Sequence, residues 1–135
     1  MQEKVFSAVI ESIPAVTAWI DEALEKLDCS MQAQMQLDVA IDEIFGNIAR
    51  YAYPDKSGIV TIRHGYEEAS RLFSVTFIDR GVPFDPLKQA NPDTSLELKD
   101  REIGGLGIFL VKKTMDKVGY RYMDGKNILN IQKHI

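Results

Sequence analysis

The chain is short of several things, and each shortage excludes something. Cysteine occurs once, at Cys29, so no internal disulfide can form and a reducing compartment is the simplest home. Histidine occurs twice, at His64 and His134, far apart and without cysteine companions, which argues against a zinc site. Sixteen basic residues face twenty acidic ones, and a net charge of -4 lacks the basic excess of a duplex-binding face, so no nucleic acid is expected as partner. No apolar stretch reaches membrane-spanning length and no basic segment followed by an apolar one opens the chain. No membrane partner is expected, and the expected location is cytoplasmic. A Gly-x-x-x-x-Gly-Lys-Ser/Thr phosphate loop, a Gly-x-Gly-x-x-Gly turn, internal repeats and low-complexity tracts are all missing.

What is present is the composition of a globular protein: 135 residues, 45% hydrophobic and 27% charged. That length suits one domain, residues 1–135, able to bury a core without disulfides or metal. Lys4 to Ile10 reads as a first strand. Ser12 can cap the helix that follows, with Pro14 in its first turn and Val16, Ile20, Ala23, Leu24 and Leu27 on one face. Ser30 is the N-cap expected for a second helix from about Met31 to Tyr51 or Ala52, stopped by Pro54. Its apolar stripe is Leu37, Ala40, Ile41, Ile44 and Ile48, and Glu43, Asn47 and Arg50 share one flank of that stripe. Glu43 and Asn47 lie one turn apart and can converge on a common object.

Ile59–Tyr66 and Arg71–Ile78 read as two antiparallel strands, the second delivering Asp79-Arg80-Gly81 to the end of a sheet. Residues 82–103 hold three prolines and little apolar periodicity, which suggests a lid or binding loop, with Ser95 to Lys99 as a short helical turn inside it. The chain is organised around what comes next, Ile103-Gly104-Gly105-Leu106-Gly107 and the apolar run after it. Glycines before a helix let backbone N–H groups turn inward, and the first helical turn adds unpaired donors and a positive dipole end, a place where phosphates fit. The plain alternative is a joint before an ordinary helix, here to about Lys117. Val118–Met123 and Ile128–Ile131 close the sheet as a hairpin around Asp124-Gly125-Lys126-Asn127.

Three stretches combine: Asp42–Asn47 on a helix, Asp79–Asp85 after a strand, and Gly104–Gly107 before a helix. In order and spacing they resemble the N, G1 and G2 boxes of the ATPase superfamily named for gyrase, histidine kinases and the mismatch-repair and heat-shock ATPases. The likeness covers nearly the whole chain and is greatest to the small stand-alone branch, the bacterial anti-sigma-factor serine/threonine kinases. The expected fold is an α/β two-layer sandwich, a mixed and mostly antiparallel sheet with three helices on one face. The resemblance implies ATP and Mg2+ as cofactors, with residues 82–103 as the ATP lid.

It also implies roles for individual residues. Asn47 matches the asparagine that ligates magnesium, a use suited to an amide oxygen and a hard cation. Glu43 matches the carboxylate that acts as general base toward the attacking hydroxyl. Asp79 matches the aspartate that accepts a hydrogen bond from the adenine amine, with Gly81 giving the base room. Gly104, Gly105, Leu106 and Gly107 match the phosphate cradle, and Lys99 or Arg101 could reach the terminal phosphate. By the same resemblance the chain phosphorylates a small anti-sigma antagonist protein and sequesters a sigma factor, and a homodimer is possible. The alternative is a non-catalytic ATP-binding module that regulates by partner binding alone. One departure stands out: the family often has Gly-Thr in the last hairpin, where this chain has Gly125-Lys126-Asn127. Asn127 either replaces that threonine or serves the turn, and Arg50 either bridges Glu43 or faces a partner.

Overall fold

A computed structural model describes residues 1–88 and 105–135. Gly104, Lys99, Arg101, the Ser95–Lys99 turn and most of the expected lid lie outside the described residues. The sheet consists of β1 (Gln2–Ser7), β2 (Ile59–Glu67), β3 (Leu72–Asp79), β4 (Lys117–Met123) and β5 (Lys126–His134). Their spatial order is β1-β2-β3-β5-β4. All four pairings are antiparallel, so the parallel component of a mixed sheet does not occur among the described strands. Three helices accompany it: α1 (Ile13–Lys26), α2 (Met31–Tyr51) and α3 (Gly105–Thr114).

The strands alternate as a half-buried sheet must. Val60, Ile62, Phe73, Val75, Phe77, Leu129 and Ile131 face inward and join Val16, Ile20 and Leu24 of α1, Leu37, Ile41, Ile44 and Phe45 of α2, and Val111 of α3 in one core. This is the two-layer arrangement expected, with the helices packed on one face of the sheet. The other face carries polar pairs such as Arg63 with Glu3 and the Asn130 amide with Ser74 and Thr76. His64 is buried in β2, stacked on Phe73 and beside Trp19, a structural use of the ring.

Element ends differ from the sequence expectation where local geometry decides. The first strand stops at Ser7, and Ile10–Ser12 form a tight 3-10 turn that runs straight into α1. Ser12 is therefore already helical (φ -78°, ψ -17°), and its hydroxyl makes no capping bond. Ser30 does cap α2: it is extended (φ -63°, ψ 150°) and its Oγ accepts from Ala33 N–H at 3.1 Å. The third helix ends at Thr114 rather than near Lys117, because Lys117 already pairs with Gln132 in β4. The last hairpin is tighter than expected. Asp124 (φ 54°) and Gly125 (φ 75°) alone make the turn, both in the left-handed region favoured between antiparallel strands.

The strand order matters for the site. β5 returns between β3 and β4, which puts Asn127 directly opposite Asp79. The end of β3, the start of β5 and the last turns of α2 therefore meet at one edge of the core.

Candidate functional site

One small cavity opens at that edge. Its walls are Asn47, Ile48, Tyr51 and Ala52 of α2 and its C-terminus, Phe77 and Asp79 of β3, Ile108 of α3, and Tyr120, Asn127 and Leu129 of the last hairpin. Phe84 and Pro86, from the segment after β3, complete the lining, and the volume is about 40 Å³. The rings of Tyr51 and Phe84, both in that lining, stand 6.5 Å apart.

Asp79 is 5% exposed at the end of β3, a position that strand alternation turns inward. Its Oδ1 accepts from Gly81 N–H at 2.8 Å and from Asn127 Nδ2 at 2.9 Å. Burial pushes its carboxyl above the ordinary aspartate range, while those two bonds pull it back. Asn127 is the hub. Its Nδ2 also donates to Val82 O at 2.9 Å, and its Oδ1 accepts from Phe84 N–H at 3.2 Å and from the Tyr120 hydroxyl. One amide thus ties the base-reading carboxylate candidate to the start of the 82–103 segment. Of the two uses left open for Asn127, the structure supports contact with Asp79, since Asp124 and Gly125 make the turn by themselves.

Gly81 has a packing reason to be glycine. A Cβ there would sit 2.2 Å from Ala52 O, and Val82 N–H donates to that same carbonyl at 2.9 Å. The expected room at Gly81 is therefore occupied by the C-terminal end of α2. Tyr53 adds a second tie: its hydroxyl donates to Ile59 O at 2.7 Å and accepts from Arg80 N–H at 2.8 Å.

The other half of the site lies where α2 meets α3. A Cβ on Gly107 would be 2.1 Å from Glu43 Cδ and 2.2 Å from Glu43 Oε2, so the glycine lies directly against the carboxylate. Burial raises the Glu43 pKa; a hydrogen bond from Asn47 and the charge of Arg50 oppose the rise, and Asp42 adds to it. The Asn47 contact is long, Nδ2 to Oε1 at 3.4 Å, and it turns the amide nitrogen toward Glu43. Arg50 is not bridged to Glu43; the ion pairs among the described residues are Lys26–Glu22 and Arg63–Glu3. Its guanidinium lies over Gly46 instead, 3.1 Å from where a Cβ would be.

The structure thus brings Glu43 and Gly107 into contact and lines one cavity with Asn47, Asp79 and Ile108. Gly105 and Leu106 form the first turn of α3. Sequence reasoning gave no role to Ala52, Tyr53, Phe84 or Tyr120; the first three act through contacts far away in sequence, and Tyr120 acts through Asn127 across the last hairpin. Asn127 was already singled out by the departure in the last hairpin, and the pairing of two strand ends puts it beside Asp79.

Comparison with known proteins agrees with this architecture. The chain is 26% identical over 129 residues to the serine/threonine-protein kinase BtrW of Bordetella bronchiseptica, covering 91% of this chain and 89% of that protein. It is 23% identical to an anti-sigma F factor of Clostridium acetobutylicum, covering 90% of this chain and 79% of the relative. A serine-protein kinase RsbW of Listeria innocua is 30% identical over 106 residues, 74% of this chain and 66% of the relative. Among solved structures, the histidine kinase domain of an Erythrobacter litoralis blue-light activated histidine kinase superposes with a TM-score of 0.55 at 16% identity. That match covers 90% of this chain and 60% of the other, and it speaks for a shared fold. Residues 6–133 match the histidine kinase-like ATPase domain, and the chain belongs to that family.

Proposed function

We propose that the chain is an ATP-dependent serine/threonine protein kinase that doubles as an anti-sigma regulator. In this reading residues 1–135 form one ATPase domain with residues 82–103 as its lid. ATP lies between α2, the end of β3 and the start of α3. The observation that carries the reading is a single cavity lined by Asn47, Asp79 and Ile108, next to a glycine pressed on the Glu43 carboxylate.

Each side chain has a task suited to its setting. Asp79, held by two donors through Oδ1, accepts the adenine amine; guanine would present an oxygen there and leave acceptors unpaired, at about 1–3 kcal/mol. The cavity of about 40 Å³ is well below the roughly 300 Å³ of an ordinary ligand pocket, so Phe84 and Pro86 must draw back to admit the base. Gly105, Leu106 and Gly107 offer backbone N–H groups of the first turn of α3 to the phosphates, with Gly104 preceding them in the sequence as a further candidate. Asn47 fits a magnesium ligand, because its nitrogen faces Glu43 and its amide oxygen remains as the hard donor. Bound magnesium supplies charge neutralisation of the phosphate oxygens.

Glu43 takes the proton of the acceptor hydroxyl. The hydroxyl oxygen bonds to the γ-phosphorus, the bond to the β–γ bridging oxygen breaks, and ADP leaves with the electron pair. Burial raises the Glu43 pKa, which strengthens its ionised form as a base. The acceptor is a serine or threonine of a small antagonist protein, and the added charge releases that protein from its contact surface. The other partner is a sigma factor, the setting is the cytoplasm, and a homodimer is compatible with this arrangement.

The test is to incubate the chain with labelled Mg-ATP and small antagonist candidates from its own genome, then look for phosphoserine or phosphothreonine. Glu43→Gln is expected to keep nucleotide affinity and lose transfer by roughly 10²–10⁴-fold. Nucleotide binding with no transfer to any candidate, and regulation untouched by Glu43→Gln, would instead assign the non-catalytic module.

A further inference from the structure

The N-terminal half of α2 is built unlike the rest of that helix. Met31 is 79% exposed, Met35 61% and Val39 53%, three large apolar side chains at successive steps of four. Side chains four apart on a helix are neighbours, so these form one ridge about 12 Å long. The core does not use it, since the buried positions of α2 begin with Ala33, Leu37, Ala40 and Ile41. A lone exposed apolar residue is ordinary, whereas a continuous apolar ridge marks a contact surface, and methionine adapts its shape to what it meets.

Beside the ridge lies a cavity of about 480 Å³, walled by Glu25 of α1, Cys29 of the connection, and Met31, Gln34, Met35 and Asp38 of α2. Its chemistry is acidic. Asp38 faces Asp21 of α1, and one carboxylate oxygen of each is buried without a hydrogen-bond partner. No lysine or arginine occurs between Asp28 and Ala49. Arg71 and Lys133 reach Cys29 with their charge while bonded to the carbonyls of Ile135 and Thr114, but the charge that acts on Asp38 is that of Asp21.

We propose that this end of α2 is a docking surface for an amphipathic helix of a protein partner. The apolar face of that helix lies on Met31, Met35 and Val39, and a lysine or arginine at its edge enters the acidic cavity against Asp38. Charge selects this occupant. A second copy of the chain would set acid against acid, and an anionic lipid surface would be repelled. The surface stands whether or not phosphotransfer occurs. It also points somewhere useful: the next step of four beyond Val39 is Glu43, about 6 Å further along the axis. A helix docked on the ridge therefore runs toward the candidate site.

The probe is a fluorescein-labelled 18-residue peptide with leucine along one face and lysine and arginine at its flanks, titrated into the full chain by anisotropy. Saturable binding is expected, together with slowed alkylation of Cys29 by iodoacetamide. The double substitution Met31→Gln with Met35→Gln should weaken binding at least tenfold, and Asp38→Asn, read at pH 8 where Asp38 is ionised, several-fold with a shallower salt dependence. Val5→Gln, at an exposed position on the far sheet face, should change neither reading. The same peptide with glutamate in place of its basic residues should bind at least tenfold more weakly. Equal losses in the ridge and Val5 variants, no protection of Cys29, or equal binding of the acidic peptide would overturn the proposal. So would a dimer in sedimentation that the ridge substitutions dissociate, since it would assign the ridge to a second copy.

Discussion

The two ends of the candidate site are assembled on different terms. At the proposed base end, Asp79 Oδ1 takes two donors and Asn127 is engaged through both its nitrogen and its oxygen, so the polar groups are largely committed to one another. At the proposed phosphate end, Glu43 and Asn47 share one contact of 3.4 Å, and the carboxylate lies against the bare backbone of Gly107. Recognition gains from groups already fixed in place. Transfer of a proton needs an atom that is positioned but not yet used. The contrast between a saturated network and a lightly held carboxylate matches that division of labour.

The sharpest way to break the comparison is at Gly107. Gly107→Ala puts a methyl about where the Glu43 carboxylate now sits, and a displacement of about 1 Å at a reacting group costs roughly 10²-fold. Phosphotransfer should fall by that much while nucleotide affinity moves by only a few-fold, read by transfer to the partner and by nucleotide titration.

Asn127→Ala attacks the other end and should do the reverse. It strands Asp79, Phe84 N–H and the Val82 carbonyl, at about 2–3 kcal/mol of stability by denaturant melt, with nucleotide affinity falling alongside. Transfer per bound nucleotide should hold. Asp79→Asn is narrower: the preference for ATP over GTP should shrink by about tenfold or more, and an unchanged preference would remove the base-reading role.

Acidity separates the ends more gently. Burial raises the Glu43 pKa, and a general base must be ionised, so transfer should fail as pH drops at a point above the ordinary glutamate range. A pH–rate profile whose acid limb sits at the ordinary value would contradict that.

The smallest effect comes from setting Asp79 beside Asp38, since burial acts on both but one faces donors and the other a second acid. Asp38 is pushed up to about 7 by burial and by Asp21. Its folded form holds a proton more tightly than the unfolded chain does, so its contribution is full below the unfolded value near 3.8 and is lost as pH rises through about 7. Asp38→Asn should raise stability at pH 8 by about 1 kcal/mol, after allowing for the screening felt by a partly exposed carboxyl, and should flatten the melting profile between pH 4 and 7.

Much of this was legible before folding. The helical stripe from Leu37 to Ile44, the extended cap at Ser30 and the alternation of Phe73, Val75 and Phe77 are local signals, and the structure keeps them. The boxes around Asn47, Asp79 and Gly107 were also visible as residue types at fixed spacing. Less legible were the ends of elements. Ser12 could not be told from a true cap, because whether a tight turn precedes it depends on how the first strand leaves the sheet. Met31 and Met35 lay outside the predicted stripe, but that they form an exposed ridge with Val39 was not read from the sequence.

The sequence by itself determined the family, the elements and the chemical types at the site, because periodicity, caps and turn residues act within a few positions of the chain. Tertiary structure alone decided that Asn127 clasps Asp79 across two strands, that Ala52 fills the space beside Gly81, and that Gly107 touches Glu43 across two helices. Those contacts join residues 29 to 64 positions apart. Strand order and helix packing set such distances, and no local pattern encodes them.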